Sequence, residues 1–144
     1  MNLKAASGLN KEQKGRLASL KVLVVDDVAE IRMTIKALLS DLGISQVFEA
    51  GNGKEALQFI DTDFDMVDLI ICDWNMPAME GIDLLRQIRT VFTDTPFLMV
   101  TSRADKNSVV EAKAAGVTAY IRKPFSPAEL ESKIKHLCLG ASEE

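Results

Sequence analysis

Five short apolar runs constrain this chain more than any other feature: KVLVV from residue 21, QVFEA from 46, DLIIC from 68, PFLMV from 96 and TAYIR from 118. Several are almost unbroken Val/Ile/Leu, the pattern of strands buried on both faces, as in a parallel sheet. Stretches of helical period lie between them. Ile31, Ile35, Leu38, Leu39 and Leu42 share one helical face, with Gly43 as the stop. Leu84, Leu85 and Ile88 repeat the pattern, and a helix beginning near Asp105 ends at Gly116. Ser126-Pro127-Ala128-Glu129 reads as a capping box with proline at the first helical position. Strands alternating with helices specify a doubly wound α/β domain of five parallel strands and five helices.

The 144 residues suffice for one domain, expected over 21–140. Residues 1–20 are mixed and lightly basic; Lys4, Lys11, Lys14 and Arg16 could form one helical turn or two, but the segment is expected as a mobile extension, with 141–144 as a short acidic tail. The balance of 17 Lys+Arg against 21 Asp+Glu argues against a protein that coats nucleic acid. No apolar run has the length to cross a bilayer, and the opening MNLKAASGLNKEQKGRLASL lacks the apolar core of a secretory signal. Cys72 and Cys138 are far apart, each in an apolar stretch, and read as small free hydrophobes. These features together fit a cytoplasmic protein.

In a doubly wound sheet the carboxyl ends of the strands form one edge, and ligands bind there. Asp26 and Asp27 follow the first strand, Asp73 the third, Thr101 and Ser102 the fourth, and Lys123 the fifth. Each has a bland reading alone. Asp26-Asp27 could cap a helix, Asp73 could serve a turn, Thr101-Ser102 could open the next helix, and Lys123-Pro124 could be an ordinary turn. Together they put three carboxylates, a hydroxyl and an ammonium on one rim. Three carboxylates repel one another, and a hard divalent cation with an all-oxygen shell relieves the repulsion. A carboxylate beside such an ion can take a phosphoryl group, whose equatorial oxygens Lys123 and Thr101 would face.

The segments VLVVDD, DWNMPAMEG, MVTS and YIRKPF resemble the motifs of receiver domains of two-component response regulators. The likeness runs from Lys21 to Leu139 and is strongest, through Asp73-Trp74-Asn75-Met76-Pro77, to the single-domain chemotaxis (CheY-like) regulators. The resemblance implies a flavodoxin-like sheet of strand order 2-1-3-4-5. It implies that Asp73 is the phosphoacceptor, and that Mg2+ is held by Asp27, Asp73 and the backbone carbonyl of Asn75, with Asp26 acting through a water. Lys123, followed by a cis bond to Pro124, would contact the phosphoryl group. Thr101 would bond a phosphoryl oxygen, Tyr120 would switch rotamer with it, and the small Ser102 would leave room. A histidine kinase or phosphotransfer protein would supply the phosphoryl group. A downstream protein would read the face of the fourth helix, fifth strand and fifth helix, where Ala104, Tyr120, Arg122, Phe125 and Lys133 fall. The expected protein is a monomeric switch, neither a turnover enzyme nor a direct nucleic-acid binder nor membrane-inserted.

Two positions depart from the chemotaxis pattern. Arg103 stands where such regulators tend to carry Glu, and with Asn75 it would tune the phosphoryl lifetime. Arg122 replaces a small apolar residue before the active-site lysine, which bears on the choice of partner. His136, alone in its helix, reads as a solvated or partly packed side chain, and Met76, Met79 and Met99 as loop and core filler. A haloacid-dehalogenase-type phosphatase would need an acid where Asn75 stands. A dinucleotide-binding domain would need glycines where Asp26-Asp27-Val28-Ala29-Glu30 stands. A phosphate sink or relay protein, or the receiver of a larger regulator, would share this site. The chain ends almost with its last helix, which favours a free-standing protein.

Overall fold

The computed structural model describes residues 8–63 and 67–140. The elements run α1 (Lys11–Ser19), β1 (Lys21–Val25), α2 (Ala29–Asp41), β2 (Gln46–Ala50), α3 (Gly53–Asp63), β3 (Leu69–Cys72), α4 (Gly81–Arg89), β4 (Phe97–Thr101), α5 (Lys106–Ala114), β5 (Ala119–Arg122) and α6 (Pro127–Leu139). The strands form one sheet in the order β2-β1-β3-β4-β5, and every neighbouring pair is parallel. Fold class and strand order agree with expectation. The helix count does not: there are six among the described residues.

Alternation along each strand divides the core between the two faces of the sheet. Val22, Val24, Leu69, Ile71, Leu98, Val100 and Ile121 point to one face, where Ile35 and Leu39 of α2 and Leu130 and Ile134 of α6 cover them. Leu23, Val25, Ile70, Cys72, Phe97 and Met99 point to the other, against Ala56 and Ile60 of α3, Leu84, Leu85 and Ile88 of α4, and Ala112 of α5. Each fully buried side chain of this size contributes roughly 1.5–3 kcal/mol by leaving water. The helix ends follow their signals. Gly43 and Gly116 adopt φ of 93° and 98° after α2 and α5, and Ser126 and Glu129 form the reciprocal capping box of α6. Asp105 caps α5 through the Ser108 N–H at 3.0 Å.

The additional helix, α1, falls within residues 1–20, the segment expected as an extension. Asn10 and Gln13 form a capping box at the start of α1, with bonds of 2.8 and 3.0 Å between each side chain and the other's backbone N–H. Leu17 is fully buried, and Leu9 and Leu20 pack partly against the same core face. One apolar residue per two turns left no visible period, yet it suffices to dock the helix against α6. Residues 1–7 and the acidic tail 141–144, including Glu143 and Glu144, lie outside the described residues. Cys72 is buried and Cys138 half-buried, both free. Burial holds both thiols up, that of Cys138 at about 11. His136 is exposed.

Candidate phosphoryl-transfer site

Register brings the acidic residues together. Val25 lies opposite Cys72, so Asp26 and Asp73 leave adjacent strands at the same level. The ladder continues one residue further on each side: the Asp73 N–H donates to the Val25 carbonyl at 3.0 Å, and the Asp26 N–H to the Ala50 carbonyl at 3.1 Å. Carboxylate oxygens of Asp26, Asp27 and Asp73 all lie within 4.8 Å of one another. Asp26 and Asp73 are buried, whereas Asp27 faces solvent.

Lys123 closes the cluster. Its backbone N–H donates to the Thr101 carbonyl at 2.8 Å, and its ammonium lies 3.0 Å from Asp26 Oδ2 and 3.4 Å from Asp73 Oδ2. The Lys123-Pro124 bond is cis, as expected. Beside Lys123 opens a groove of about 450 Å3, walled by Ile31, Thr34, Ser102, Pro124 and Phe125. Asp73 Oδ1 accepts from the Trp74 N–H at 2.7 Å. Burial pushes the Asp73 carboxyl above the usual carboxylate range, the nearby Lys123 charge pulls it back, and Asp26 pushes it up again. One ammonium shared between two buried carboxylates, with a third alongside, leaves surplus negative charge. The donor set is all oxygen and open to solvent at Asp27, which suits a hard divalent cation that keeps waters of its own.

The loop after β3 folds back over the site. Gly81 donates its N–H to the Trp74 carbonyl at 2.8 Å, and a Cβ at this position would fall inside the contact radius of the Asp73 carbonyl oxygen. Ala78, in the same loop, takes φ of 70°, a left-handed conformation that ordinary side chains rarely adopt.

Thr101 is fully buried, and its Oγ1 accepts from the Arg103 N–H at 3.2 Å. The Tyr120 hydroxyl donates to the Arg103 carbonyl, so the ring lies inward, half-buried along β5. Burial, then the charge of Asp105, raises its phenol. The Arg103 Nε donates to Asn75 Oδ1 at 3.1 Å, its guanidinium lies 4.9 Å from the centroid of the buried Trp74 ring, and Nη2 approaches Glu80 at 4.0 Å. Sequence reading put Arg103 and Asn75 in one role. It did not show that they touch, because the contact spans two loops. It also passed over Arg32, whose Nη1 donates to the Asp26 carbonyl at 2.5 Å while its Nε meets Glu49 Oε1 at 3.0 Å. That hydrogen bond holds the Glu49 carboxyl below its usual range.

A parallel 2-1-3-4-5 sheet with an acidic cluster and a lysine on its carboxyl edge defines a class of signalling domain, and the comparisons agree. The chain belongs to the response regulator receiver domain family, whose model matches residues 22–135. Among its relatives, the Vibrio cholerae chemotaxis protein CheY-3 is 44% identical over 119 residues, covering 81% of this chain and 89% of that protein. Helicobacter pylori chemotaxis protein CheY1 is 41% identical over 126 residues, 86% of this chain and 100% of that one. The solved structure of Vibrio cholerae CheY4 superposes with a TM-score of 0.75 at 35% identity, over 82% of this chain and 98% of that one. The chain is thus a regulatory receiver of the kind found in two-component chemotaxis signalling. No helix among the described residues is long and apolar enough to cross a membrane.

Proposed function

We propose that this protein is a cytoplasmic, monomeric phosphorylation switch that takes a phosphoryl group on Asp73 from the phosphohistidine of a kinase or phosphotransfer protein. The observation that carries the reading is the convergence of the Asp26, Asp27 and Asp73 carboxylates with the Lys123 ammonium. A carboxylate oxygen of Asp73 attacks phosphorus, the P–N bond to the donor's imidazole breaks, and the nitrogen keeps the bonding pair and takes up a proton. Mg2+, held by Asp27, Asp73 and the Asn75 carbonyl with Asp26 behind a water, would neutralise the charge on the transferring group. Lys123 exchanges one of its two carboxylate partners for a phosphoryl oxygen. Thr101 turns its hydroxyl to another, since its oxygen already accepts from Arg103 and its proton remains to donate. Asn75 carries no acid to activate water, which suits a stored acyl phosphate better than turnover of outside phosphoesters.

Output follows from the same contacts. The Tyr120 hydroxyl and the Thr101 oxygen both bond to the backbone of Arg103. Moving Thr101 therefore shifts the balance between inward and outward Tyr120 on the face of α5, β5 and α6. Arg122, exposed on that face, favours an acidic or mixed partner segment. Phosphorylation biases this equilibrium only by its differential interaction with the two states. Arg103 and Asn75, clamped together over the site, set the lifetime of the acyl phosphate.

The test is labelling with a small phosphodonor and Mg2+. One phosphoryl group, labile to base and to hydroxylamine, is expected on the wild type and none on Asp73→Asn. Equal labelling of the variant would refute the assignment.

A further inference from the structure

The carboxylate that most needs aiming is the one with nothing to aim it. Asp27 is exposed, and its side chain has no hydrogen bond or ion pair among the described residues. Its direction is therefore inherited from the backbone, and specifically from the peptide that joins it to Asp26. A peptide unit is planar from one Cα to the next, so fixing its carbonyl fixes the following Cα and N–H. Asp26 anchors the near side of that unit through its N–H to Ala50, its Oδ2 to Lys123, and its Oδ1 to the Val28 N–H at 2.9 Å, which bridges across Asp27. The carbonyl is the one remaining handle, and Arg32 Nη1 holds it at 2.5 Å.

We infer that Arg32 is a positioning residue for the cation site, locking the Asp26-Asp27 peptide so that the Asp27 carboxylate points into the cluster, and that Glu49 fixes Arg32 in that pose. The guanidinium suits the task because its donors lie in one rigid plane: Nε is committed to Glu49 Oε1 at 3.0 Å while Nη1 addresses the carbonyl. Lys36 at 3.4 Å from Glu49 Oε2 engages the other carboxylate oxygen, so Glu49 is itself held from two sides. The Arg32 side chain is 20% exposed and that of Glu49 34%, enough shelter for geometry to persist.

The inference rests on the reading of the cluster as a Mg2+ site, and it makes a prediction opposite in sign to simple electrostatics. A positive charge near an acidic cluster repels a divalent cation, so deleting it should tighten binding if charge were all that mattered. If Arg32 aims the ligand, deleting it weakens binding, as loss of groups that orient metal ligands commonly does by about 10–100-fold.

The experiment is Mg2+ titration of the full chain, followed by Trp74 emission, for wild type, Arg32→Met, Arg32→Lys, Glu49→Gln and the Arg32→Met/Glu49→Gln double variant. Thermal unfolding without metal is recorded for each. Arg32→Met is expected to weaken Mg2+ by about tenfold or more. Arg32→Lys, which keeps the charge but cannot serve both partners in one plane, should also weaken it, and decides the matter if Arg32→Met unfolds. The double variant should bind no worse than Arg32→Met alone, because Glu49 acts through Arg32. A merely structural role would lower the metal-free unfolding midpoint without this non-additivity in Mg2+ affinity. A saturable wild type with unchanged or tighter binding in the Arg32 variants overturns the inference and leaves the Mg2+ reading standing. A wild type with no saturable response overturns both.

Discussion

The two edges of the sheet are built on opposite principles. The carboxyl edge gathers Asp26, Asp27, Asp73 and Lys123, with buried like charges close together and one carboxyl held above its usual range. The amino edge, about 17 Å away along strands of five residues, is closed by apolar side chains from Leu17 of α1, Ile44 before β2 and Leu139 of α6. One edge concentrates charge and the other apolar burial. The two should therefore respond independently to substitution.

Leu17→Ala should show the largest effect and sharpen that contrast. Removing a fully buried leucine at the amino edge is expected to lower unfolding free energy by about 2–3 kcal/mol, read by urea denaturation. Phosphorylation yield at Asp73 should be unchanged, and a lost yield would break the separation of the edges.

Asp73→Asn should move stability the other way. The wild-type carboxyl is raised in the folded state, so its charged form destabilises the fold at neutral pH. That penalty is present in full above the raised folded value, shrinks as pH falls through it, and is gone below the ordinary carboxylate value. The metal-free variant should accordingly melt above wild type at pH 7, and the gap should close on acidification. A variant that melts lower at neutral pH would mean that Lys123 outweighs burial.

Much of this contrast was legible in the chain itself. The five apolar runs became the five strands, and the residues after runs one, three, four and five became the polar rim, because a parallel sheet leaves only one edge for chemistry. Gly43, Gly116, Asp105 and the Ser126–Glu129 box stop or start helices through local geometry that sequence states directly. What escaped was of two kinds. Helix α1 carries a single buried residue, so periodicity said nothing, although Asn10-x-x-Gln13 was a capping signal in plain view. The hold of Arg32 on Asp26 and of Arg103 on Asn75 joins segments that only the folded sheet makes neighbours, and no local pattern encodes them.

The smallest effect tests the carboxyl edge from its backbone. Ala78 occupies a left-handed conformation in the loop over the site, which ordinary residues adopt at a cost of about 1–2 kcal/mol. Glycine removes that strain but loses more freedom on folding, by about 0.5–1 kcal/mol. Ala78→Gly should thus gain about 0–1.5 kcal/mol, seen as a small rise in denaturation midpoint at unchanged slope. A loss would mean that the Ala78 methyl group makes contacts outweighing the strain.

Helix α1 has a kinetic consequence. Nine residues are too few for a helix to persist by itself in water, so α1 is helical only while it is docked. Its amides can exchange with solvent through an excursion that leaves β1 and β3 intact, whereas the central strands must wait for the whole domain to open. Lys11, Lys14 and Arg16 are exposed along it, so a tryptic protease would act on the undocked population. The amino-terminal helix is then a separately opening unit, breathing on its own clock at the end of the molecule far from the acidic cluster.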